Sequence, residues 1–513
     1  MRPVGSILTL AVLLTGSASA QSALRRPNID SFLRAAWPGF AGNAQHTAGA
    51  PARSQSFGQI LWQTPVDLAP QYDSEGELLI HYGSPVITSQ NTVIVPVKTG
   101  ATGGFRLDAH KASDGSLVWS ATTDYILPSA DWTPEFGPTL TTVGPAGTRL
   151  YYPGAGGTVY YRDDPDAADG ASGQIAFYGL TNYEANRAAY NSAVTINTPL
   201  TADADGNIYF GFLVAEHAPG GLASGIARIS ATGQGTWISA ASAASDSAIT
   251  QVVYNCAPAL SGDLKTLYVA VSNGYNGAGY LLAVDSASLQ RVARVELIDP
   301  ATGMDALLSS DGSASPTVGP DGNVYFGVLE SSGENHYRGW LLHFDSGLKQ
   351  TKIPGAFGWD DTASIVPSSM VPAYHGNSAY LLMTKYNDYH DAGGSGINKI
   401  AVLDPNATGT DPITGATVMK EVLTIAGVTP DGGLPAVKEW CINSAVVDPA
   451  SGSILAGSED GTLYRWNLST NTFSERIVLT PGLGEAYTPT IVGPDGLVYA
   501  IHNATLFVIA NAH

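Results

Sequence analysis

The sequence is poor in charged residues, in cysteine and in long apolar segments. Only 13% of its 513 residues are charged, and Lys and Arg number 24 against 44 Asp and Glu. A helical bundle needs abundant Glu and Lys, and a nucleic-acid binder needs a basic surface, so both classes are excluded. Two cysteines exclude a disulfide scaffold. After residue 20 no run of 18 apolar residues occurs, so no membrane-spanning helix is predicted.

Common catalytic signatures are also missing. The chain has no Gly-x-Ser-x-Gly, no Gly-x-x-x-x-Gly-Lys, no His-Glu-x-x-His and no Cys-x-x-Cys. A serine hydrolase, a nucleotide-dependent enzyme and a zinc peptidase therefore have no support in the sequence.

The first 20 residues have the form of a secretory leader. Arg2 is followed by an apolar run at residues 7–14, and Ala18-Ser19-Ala20 has the small residues of a cleavage site. We expect cleavage after Ala20 and a secreted or periplasmic mature protein.

Glycine and proline, with 58 and 31 residues, are abundant and follow a repeat. A small residue, usually followed by Pro, precedes a short apolar strand, a turn and a second β-rich run. Three of the turns are Asp-Gly pairs of the hairpin type. The phrase begins eight times, and the sixth and seventh copies are degenerate; its starts are residues 84, 137, 198, 257, 315, 368, 443 and 488.

Units of 45 to 75 residues with four short strands each are typical of a β-propeller. We predict an all-β fold of eight four-stranded antiparallel blades, with seven blades as the alternative. The last unit has only three strands, and residues 59–64 would supply its fourth and close the ring. The predicted organisation is a signal peptide (1–20), an N-terminal extension (21–57) and a single propeller domain (58–513).

Two segments resemble the pyrroloquinoline-quinone (PQQ) repeat propellers of the quinoprotein alcohol dehydrogenase-like superfamily. Leu107-Asp108-Ala109 followed by Ser113-Asp114-Gly115-Ser116-Leu117-Val118-Trp119 is similar to their repeat, and residues 37–47 are similar to their entry segment. The resemblance implies a propeller but little about function, because its members include dehydrogenases and non-catalytic assembly lipoproteins.

The candidate site lies in the segments that precede the first strand of each unit. In a propeller these segments surround the mouth of the central channel, where ligands usually bind. Here they combine aromatic rings with carboxylates and amides, which suits a flat or sugar-like ligand. The alternative is that the Trp residues cover the blade tops and the carboxylates are solvated. The predicted ligand-binding residues are Trp132, Asn197, Asn255, Trp359, Asp361, Lys438, Trp440, Asn443, Glu485 and Tyr487.

Two functions are compatible with this mouth. The first is a monomeric protein that binds a small molecule, a carbohydrate or a protein partner there. The second is an enzyme, either a quinoprotein-like oxidoreductase or a carbohydrate-active lyase or hydrolase with paired carboxylates. The candidate catalytic residues are Asp360, Glu439 and Glu135.

For a quinoprotein, the resemblance implies PQQ stacked on a Trp, calcium held by Glu, Asn and Asp, and a catalytic Asp. Trp440 or Trp359 would stack on the quinone, and Asp360 or Asp361 would be the base. Glu135, with Asn197 or Asn255, would hold the calcium. The family's adjacent cysteine pair is absent from the sequence.

Two further expectations concern single segments. Cys256 and Cys441 lie in units four and seven, so we expect two separate buried thiols, with a disulfide as the alternative. Residues 385–396 interrupt unit six and are predicted to form an exposed, flexible loop, with metal binding as the alternative.

Overall fold

Eight antiparallel sheets form the blades of a closed ring, so the predicted eight-bladed propeller is confirmed. The computed structural model describes residues 36–512, except residues 73, 75, 77, 79, 102, 128–135, 144–146, 216, 311, 433–434 and 482–488. The predicted leader lies outside these residues. No helix in the described part of the chain has the length and apolar character to cross a membrane.

The strands follow one another blade by blade. β1 (Gln59–Pro65) precedes blade 1, which contains β2 (Val86–Ile87), β3 (Thr92–Gly100), β4 (Gly103–Lys111) and β5 (Leu117–Thr123). Blade 2 contains β6 (Thr139–Val143), β7 (Gly147–Pro153), β8 (Thr158–Asp163) and β9 (Ser172–Ala176). Blade 3 contains β10 (Val194–Ile196), β11 (Thr201–Ala202), β12 (Ile208–Val214), β13 (Gly225–Ile229) and β14 (Gly235–Ser239).

Blades 4 and 5 are less regular. Blade 4 contains β15 (Gln251–Val252), β16 (Ala259–Leu260), β17 (Thr266–Ser272), β19 (Gly279–Asp285) and β20 (Arg291–Glu296); β18 (Asn276–Gly277) pairs with β21 (Leu308–Ser309) beside it. Blade 5 contains β22 (Thr317–Val318), β23 (Val324–Val328) and β24 (Trp340–Phe344). Its fourth strand is reduced to two bridges, Leu341 with Gly355 and Phe344 with Thr351. Pro354 lies between them and has no amide hydrogen to donate to a ladder.

The remaining strands complete the ring. Blade 6 contains β25 (Ser364–Pro367), β26 (Tyr380–Tyr386), β27 (Lys399–Thr410) and β28 (Thr417–Ala426). Blade 7 contains β29 (Val446–Asp448), β30 (Ser453–Gly457), β31 (Thr462–Asn467) and β32 (Thr472–Val478). Blade 8 contains β33 (Ile491–Val492), β34 (Val498–His502) and β35 (Thr505–Ala510). The helices are short: α1 (Leu180–Ala185), α2 (Arg187–Ala193) and α3 (Ala240–Ala244).

The ring is closed by the predicted N-terminal strand. β1 pairs antiparallel with β35, from Gln59 opposite Ala510 to Pro65 opposite Thr505, and is the fourth strand of blade 8. Trp62 Nε1 on this strand donates to the Ala112 carbonyl of blade 1 at 2.7 Å. β1 and β35, the first and last of the described strands, therefore share one sheet, which leaves blade 8 without an open edge.

One repeat start was wrong by six residues. The sequence placed the sixth unit at Ser368, but residues Ser368–Met370 form a 3-10 turn, and the inner strand begins at Ser364, two residues after the true unit start at Thr362. Ser364 and Ile365 occupy the register that the Thr-Val pair of β22 has in blade 5. The phrase in this blade lacks its usual Pro, so the match shifted to the next Ser-rich segment.

Residues 36–55 run around the inside of the channel, and we call this segment the girdle. Its carbonyls accept hydrogen bonds from the inner strands of six blades in chain order, and its Gln55 amide donates to Gly496 O of blade 8 at 2.8 Å. At 2.7–3.1 Å, the backbone amide of the first residue donates to the carbonyl of the second in the pairs Ile87–Trp37, Leu140–Pro38, Leu260–Ala44, Val318–Gln45, Ile365–Thr47 and Val447–Ala48.

The girdle is anchored by buried side chains at both of its ends. Trp37 is fully buried, and a Cβ on Gly42 would lie 3.3 Å from its ring, so the chain passes close over the indole. At the other end the Ser54 amide donates to Asp448 Oδ2 at 2.9 Å, and Arg465 Nη1 donates to Ser54 Oγ at 2.6 Å. From there the chain leaves the channel between blades 7 and 8 and enters β1.

Candidate functional site

The predicted site residues of blades 4 and 6 that the structure describes lie away from the girdle along the channel. In blade 4, Asn255 precedes the girdle-bonded Leu260 by five residues, and in blade 6, Asp361 precedes Ile365 by four. At the rise of an extended chain, this separates the two levels by roughly 15 Å. We call the end of the channel that the girdle lines the girdle end, and the end formed by the entry segments the mouth.

Five fully buried polar side chains from three blades meet beneath the mouth, and we call them the axial cluster. Each exposes 4% or less of its surface. The members are His81 of blade 1, Asn255 of blade 4, and Asp360, Asp361 and Lys385 of blade 6.

The centre of this cluster is a buried ion pair. Lys385 Nζ lies 3.4 Å from Asp360 Oδ2, and the Ser313 amide donates to Asp360 Oδ1 at 2.7 Å. The backbone of Asp360 is left-handed, with φ of 56°, and so is that of Asn255, with φ of 57°. Left-handed backbone is uncommon for residues other than glycine and is concentrated at functional sites.

Asp361 is a buried carboxyl of the axial cluster whose pKa is raised. Its Oδ2 accepts from Thr384 Oγ1 at 2.8 Å and from the Lys385 amide at 3.0 Å. Its Oδ1 is buried and has no hydrogen-bond partner among the described residues. Burial raises the pKa of Asp361 to about 7, although the hydrogen bonds and Lys385 oppose this rise. Near neutral pH it therefore exists in both protonation states.

Lys385 carries the only positive charge of the axial cluster. Burial alone would lower its pKa, but the acidic groups of Tyr389 and Asp360 raise it above the usual range. Burial, and then the charge of Lys385, lower the pKa of His81 to about 3, so this imidazole is neutral. His81 Nδ1 lies 2.9 Å from Asn255 Nδ2, which also donates to the Gly312 carbonyl at 3.2 Å.

Half-buried residues surround the axial cluster and form the rim of the mouth. Lys385 Nζ lies 5.4 Å from the centroid of the Trp359 ring. Tyr389 Oη accepts from Asn387 Nδ2 at 3.3 Å. In blade 7, one ligand atom each from Glu439, Cys441 and Glu459 lie within 4.8 Å of one another. The mouth thus presents carboxylates, a phenol and an indole around one buried ammonium.

Comparison with known proteins gives a result for structure alone. No family model and no curated protein matches the sequence. A europium-containing methanol dehydrogenase is similar in structure, with a TM-score of 0.57 and 9% identity, over 92% of this chain and 91% of that one. The quinohemoprotein alcohol dehydrogenase of Comamonas testosteroni gives 0.51 and 10%, over 94% of this chain and 82% of that one.

The likeness is one of fold. Quinoprotein dehydrogenase propellers imply PQQ and a metal ion, and the described residues do not fit them. Trp440, one candidate for stacking, is fully buried against Tyr464 and Phe473. The other candidate, Trp359, has the Lys385 ammonium over its ring. Cys256 and Cys441 are separate buried thiols in different blades, as the sequence predicted, so no adjacent pair is present.

The structure brings some predicted site residues together and separates others. Asn255, Asp360 and Asp361 meet in the axial cluster. Asn197 adjoins it, because its carbonyl accepts from the Asn255 amide at 3.0 Å; its Oδ1 is buried and has no partner in the described part of the chain. Four predicted positions lie outside the described residues, namely Trp132, Glu135, Glu485 and Tyr487.

Three predicted residues of blade 7 lie at the edge of the site. Lys438 Nζ pairs with Asp431 Oδ1 at 2.6 Å, on the rim beside Glu439. Asn443 is fully buried, and its carbonyl accepts from the Thr362 amide at 2.8 Å.

The main residue that the sequence missed is Lys385. It was assigned to an exposed loop, which is wrong for residues 385–388, since all four are buried and Lys385 and Tyr386 belong to β26. The apolar run 380–383 before Lys385 could have indicated a strand that carries its last Lys inward. A buried lysine requires a carboxylate partner, and Asp360 was already a candidate.

Proposed function

We propose that the protein binds a small, sugar-like molecule at the mouth of its channel, directly over the axial cluster. The carrying observation is the buried Lys385–Asp360 pair together with unsatisfied oxygens beside it. Removing two charges from water costs on the order of several kcal/mol per ion, which a purely structural channel could avoid with apolar residues.

The chemistry of the unsatisfied atoms supports a polyhydroxylated ligand. Asn197 Oδ1 and Asp361 Oδ1 are buried hydrogen-bond acceptors without donors among the described residues. A ligand hydroxyl supplies such a donor, and it also accepts from an ammonium such as Lys385. The half-buried indole of Trp359 offers an apolar edge to the carbon skeleton of a sugar.

Titration calorimetry with glucose, xylose, glucosamine and galacturonate tests the proposal. We expect one of these to bind, and expect Asp361→Asn and Trp359→Ala to weaken its binding at least tenfold. The matched control is Lys98→Met, which breaks a buried ion pair with Asp67 (3.0 Å) in the β3 region, and should leave the affinity unchanged. Equal affinities in all variants, or no binding of any of these sugars, would contradict the proposal.

A second candidate function is catalysis at the same place, favoured by the pKa of about 7 of Asp361. A carboxyl that titrates near neutral pH can take up and release a proton, as a lyase or hydrolase requires. Incubation with oligosaccharides would then release new reducing ends, and Asp361→Asn would abolish the release. Alcohol oxidation with added PQQ and calcium, followed with a redox dye, tests the activity that the structural neighbours' names describe.

Export belongs to the same proposal. The leader at residues 1–20 would place the sugar-binding mouth outside the cytoplasm. Mass spectrometry of the protein produced with its leader should find Gln21 as the first residue.

A further inference from the structure

The girdle bonds to blade 3 differently from its other neighbours. In six blades a girdle carbonyl accepts a hydrogen bond from the backbone amide at one position of the inner strand, and the residue at that position is Ile, Leu or Val in every case. By register, the blade 3 residue is Ala202, because it pairs with Ile208 as Leu140 pairs with Leu150 and Val318 with Val324. No hydrogen bond between β11 and the girdle is present among the described residues.

A cavity of about 620 Å³ occupies the space beside Ala202. The methyl group of Ala202 replaces the larger branched side chain of the other six blades, and the girdle does not close over this strand. Volumes of this size are typical of small-molecule sites. The walls come from the girdle and from blades 2, 3 and 4, and include Phe40, Ala44, Leu140, Leu200, Thr201 and Leu264.

One wall of the cavity carries an unsatisfied hydroxyl. Thr201 Oγ1 is buried and has no hydrogen-bond partner in the described structure, and Thr201 exposes only 4% of its surface. At the same register, other blades satisfy their hydroxyls: Thr139 donates to Pro38 O at 3.2 Å, Thr317 to Ala363 O at 2.7 Å and Ser364 to Ala445 O at 2.6 Å. An unpaired buried hydroxyl is costly unless something in the cavity bonds to it.

The described residues that line the cavity include no Asp, Glu, Lys or Arg, although the chain carries a net charge of −20. Its one imidazole, His46, has Nδ1 2.8 Å from Pro316 O. Burial lowers the pKa of His46 to about 4, so the ring is neutral at physiological pH. A charged ligand would lose its hydration here without gaining a counter-ion.

We infer that the girdle end of the channel holds a second binding site, for an uncharged small molecule with an apolar body and one group that hydrogen-bonds to Thr201. This site is separate from the mouth and does not depend on the function proposed there. Phe40 of the girdle supplies apolar contacts together with Leu140 and Leu200 of the blades, and β11 supplies the polar contact.

Fluorescence titration with N-phenyl-1-naphthylamine, an uncharged amine with an apolar body, tests this site in the full chain. We expect saturable binding, weakened at least tenfold by Ala202→Leu, which narrows the cavity with a residue type found in the other blades. Thr201→Val removes the hydroxyl but keeps the shape, and should weaken binding several-fold. Ala287→Leu, the same enlargement at an exposed turn, is the matched control and should not change the affinity.

Three results would overturn the inference. The first is that the unchanged protein shows no saturable binding. The second is that the Ala202→Leu and Thr201→Val variants bind as tightly as the unchanged protein. The third is that the anionic analogue 1-anilinonaphthalene-8-sulfonate binds as tightly as the uncharged amine. Thermal unfolding distinguishes loss of the site from loss of the fold. The larger apolar side chain should raise the melting temperature of Ala202→Leu or leave it unchanged, and the isosteric Thr201→Val remains interpretable if Ala202→Leu fails to fold.

Discussion

The two ends of the channel are built from different kinds of contact. At the girdle end, a single segment runs around the inside of the channel and satisfies the inner strands through backbone hydrogen bonds, with Trp37 as its apolar anchor. At the mouth, separate blades each contribute a polar side chain, and charges are buried around Lys385. The backbone bonds and apolar contacts of the girdle stabilise the ring without burying charge, whereas the buried charges and unsatisfied carboxyl and amide oxygens of the mouth cost stability.

The largest expected difference between the two ends concerns their tryptophans. Trp37→Ala should lower the free energy of unfolding by about 3–5 kcal/mol, because it empties a fully buried site under the girdle. Trp359→Ala removes a half-buried ring at the mouth and should cost only about 1 kcal/mol. Urea unfolding followed by far-UV circular dichroism measures both. Equal losses would mean that the mouth is as important for the fold as the girdle.

The next largest effect is the loss of stability when the buried ion pair of the mouth is broken. Lys385→Met leaves the Asp360 carboxylate buried without its partner and should lower the free energy of unfolding by about 3 kcal/mol. The double variant Lys385→Met/Asp360→Asn should recover most of this loss but not the sugar binding. Lys349→Met, at an exposed lysine, is the control for the substitution itself. A double variant as unstable as the single one would show that the pair is not coupled.

A smaller effect separates the two ends by pH. Burial raises the pKa of Asp361, so the folded state holds a proton that the unfolded state has lost, and stability falls as pH rises from about 4 to about 7. Burial lowers the pKa of His46 to about 4, so stability falls as pH drops from about 6.5 to about 4.

Urea unfolding at several pH values checks these slopes in two variants. Asp361→Asn should gain stability relative to the unchanged protein as pH rises, and His46→Gln should gain relative stability as pH falls. Each change should be on the order of 2 kcal/mol across its window. Parallel profiles for the two variants would refute the assignment of opposite slopes to the two ends.

The smallest expected effect is the reactivity of the two cysteine thiols. Cys256 and Cys441 are both buried and form no disulfide, so neither should react with a thiol reagent in the native protein. Denaturant should expose two thiols without any reducing agent. A count of zero in denaturant would require a disulfide between blades 4 and 7.

The repeat was predictable because its signals are local. The Asp-Gly turns and the Pro-led starts lie within a few residues of the strands they delimit, and three strands in the last unit implied a fourth elsewhere. The path of the girdle was not predictable, since its bonds join residue 37 to blade 1 and residue 48 to blade 7. Such contacts depend on the closed ring and leave no periodic pattern in the sequence.

The sequence predicted that Asp360, Asp361 and Asn255 would lie close together, because entry segments converge wherever blades surround a channel; that they bind a ligand stays a prediction. Lys385 was missed because it enters from the second strand of its blade, where solvated lysines are common. Trp440 was assigned to the mouth from its neighbours in sequence, but its ring lies in the core between blades, and alternation along an irregular segment does not reveal that.

The shared sheet of blade 8 has a consequence for the order of folding. The girdle and β1 are synthesised first, yet their partners include Val447 and the strand at residues 505–510. The first part of the chain must therefore wait for the last before it can acquire its native contacts. Closing loops of more than 400 residues is slow, so we expect blades to form early and the ring to lock in a late, rate-limiting step.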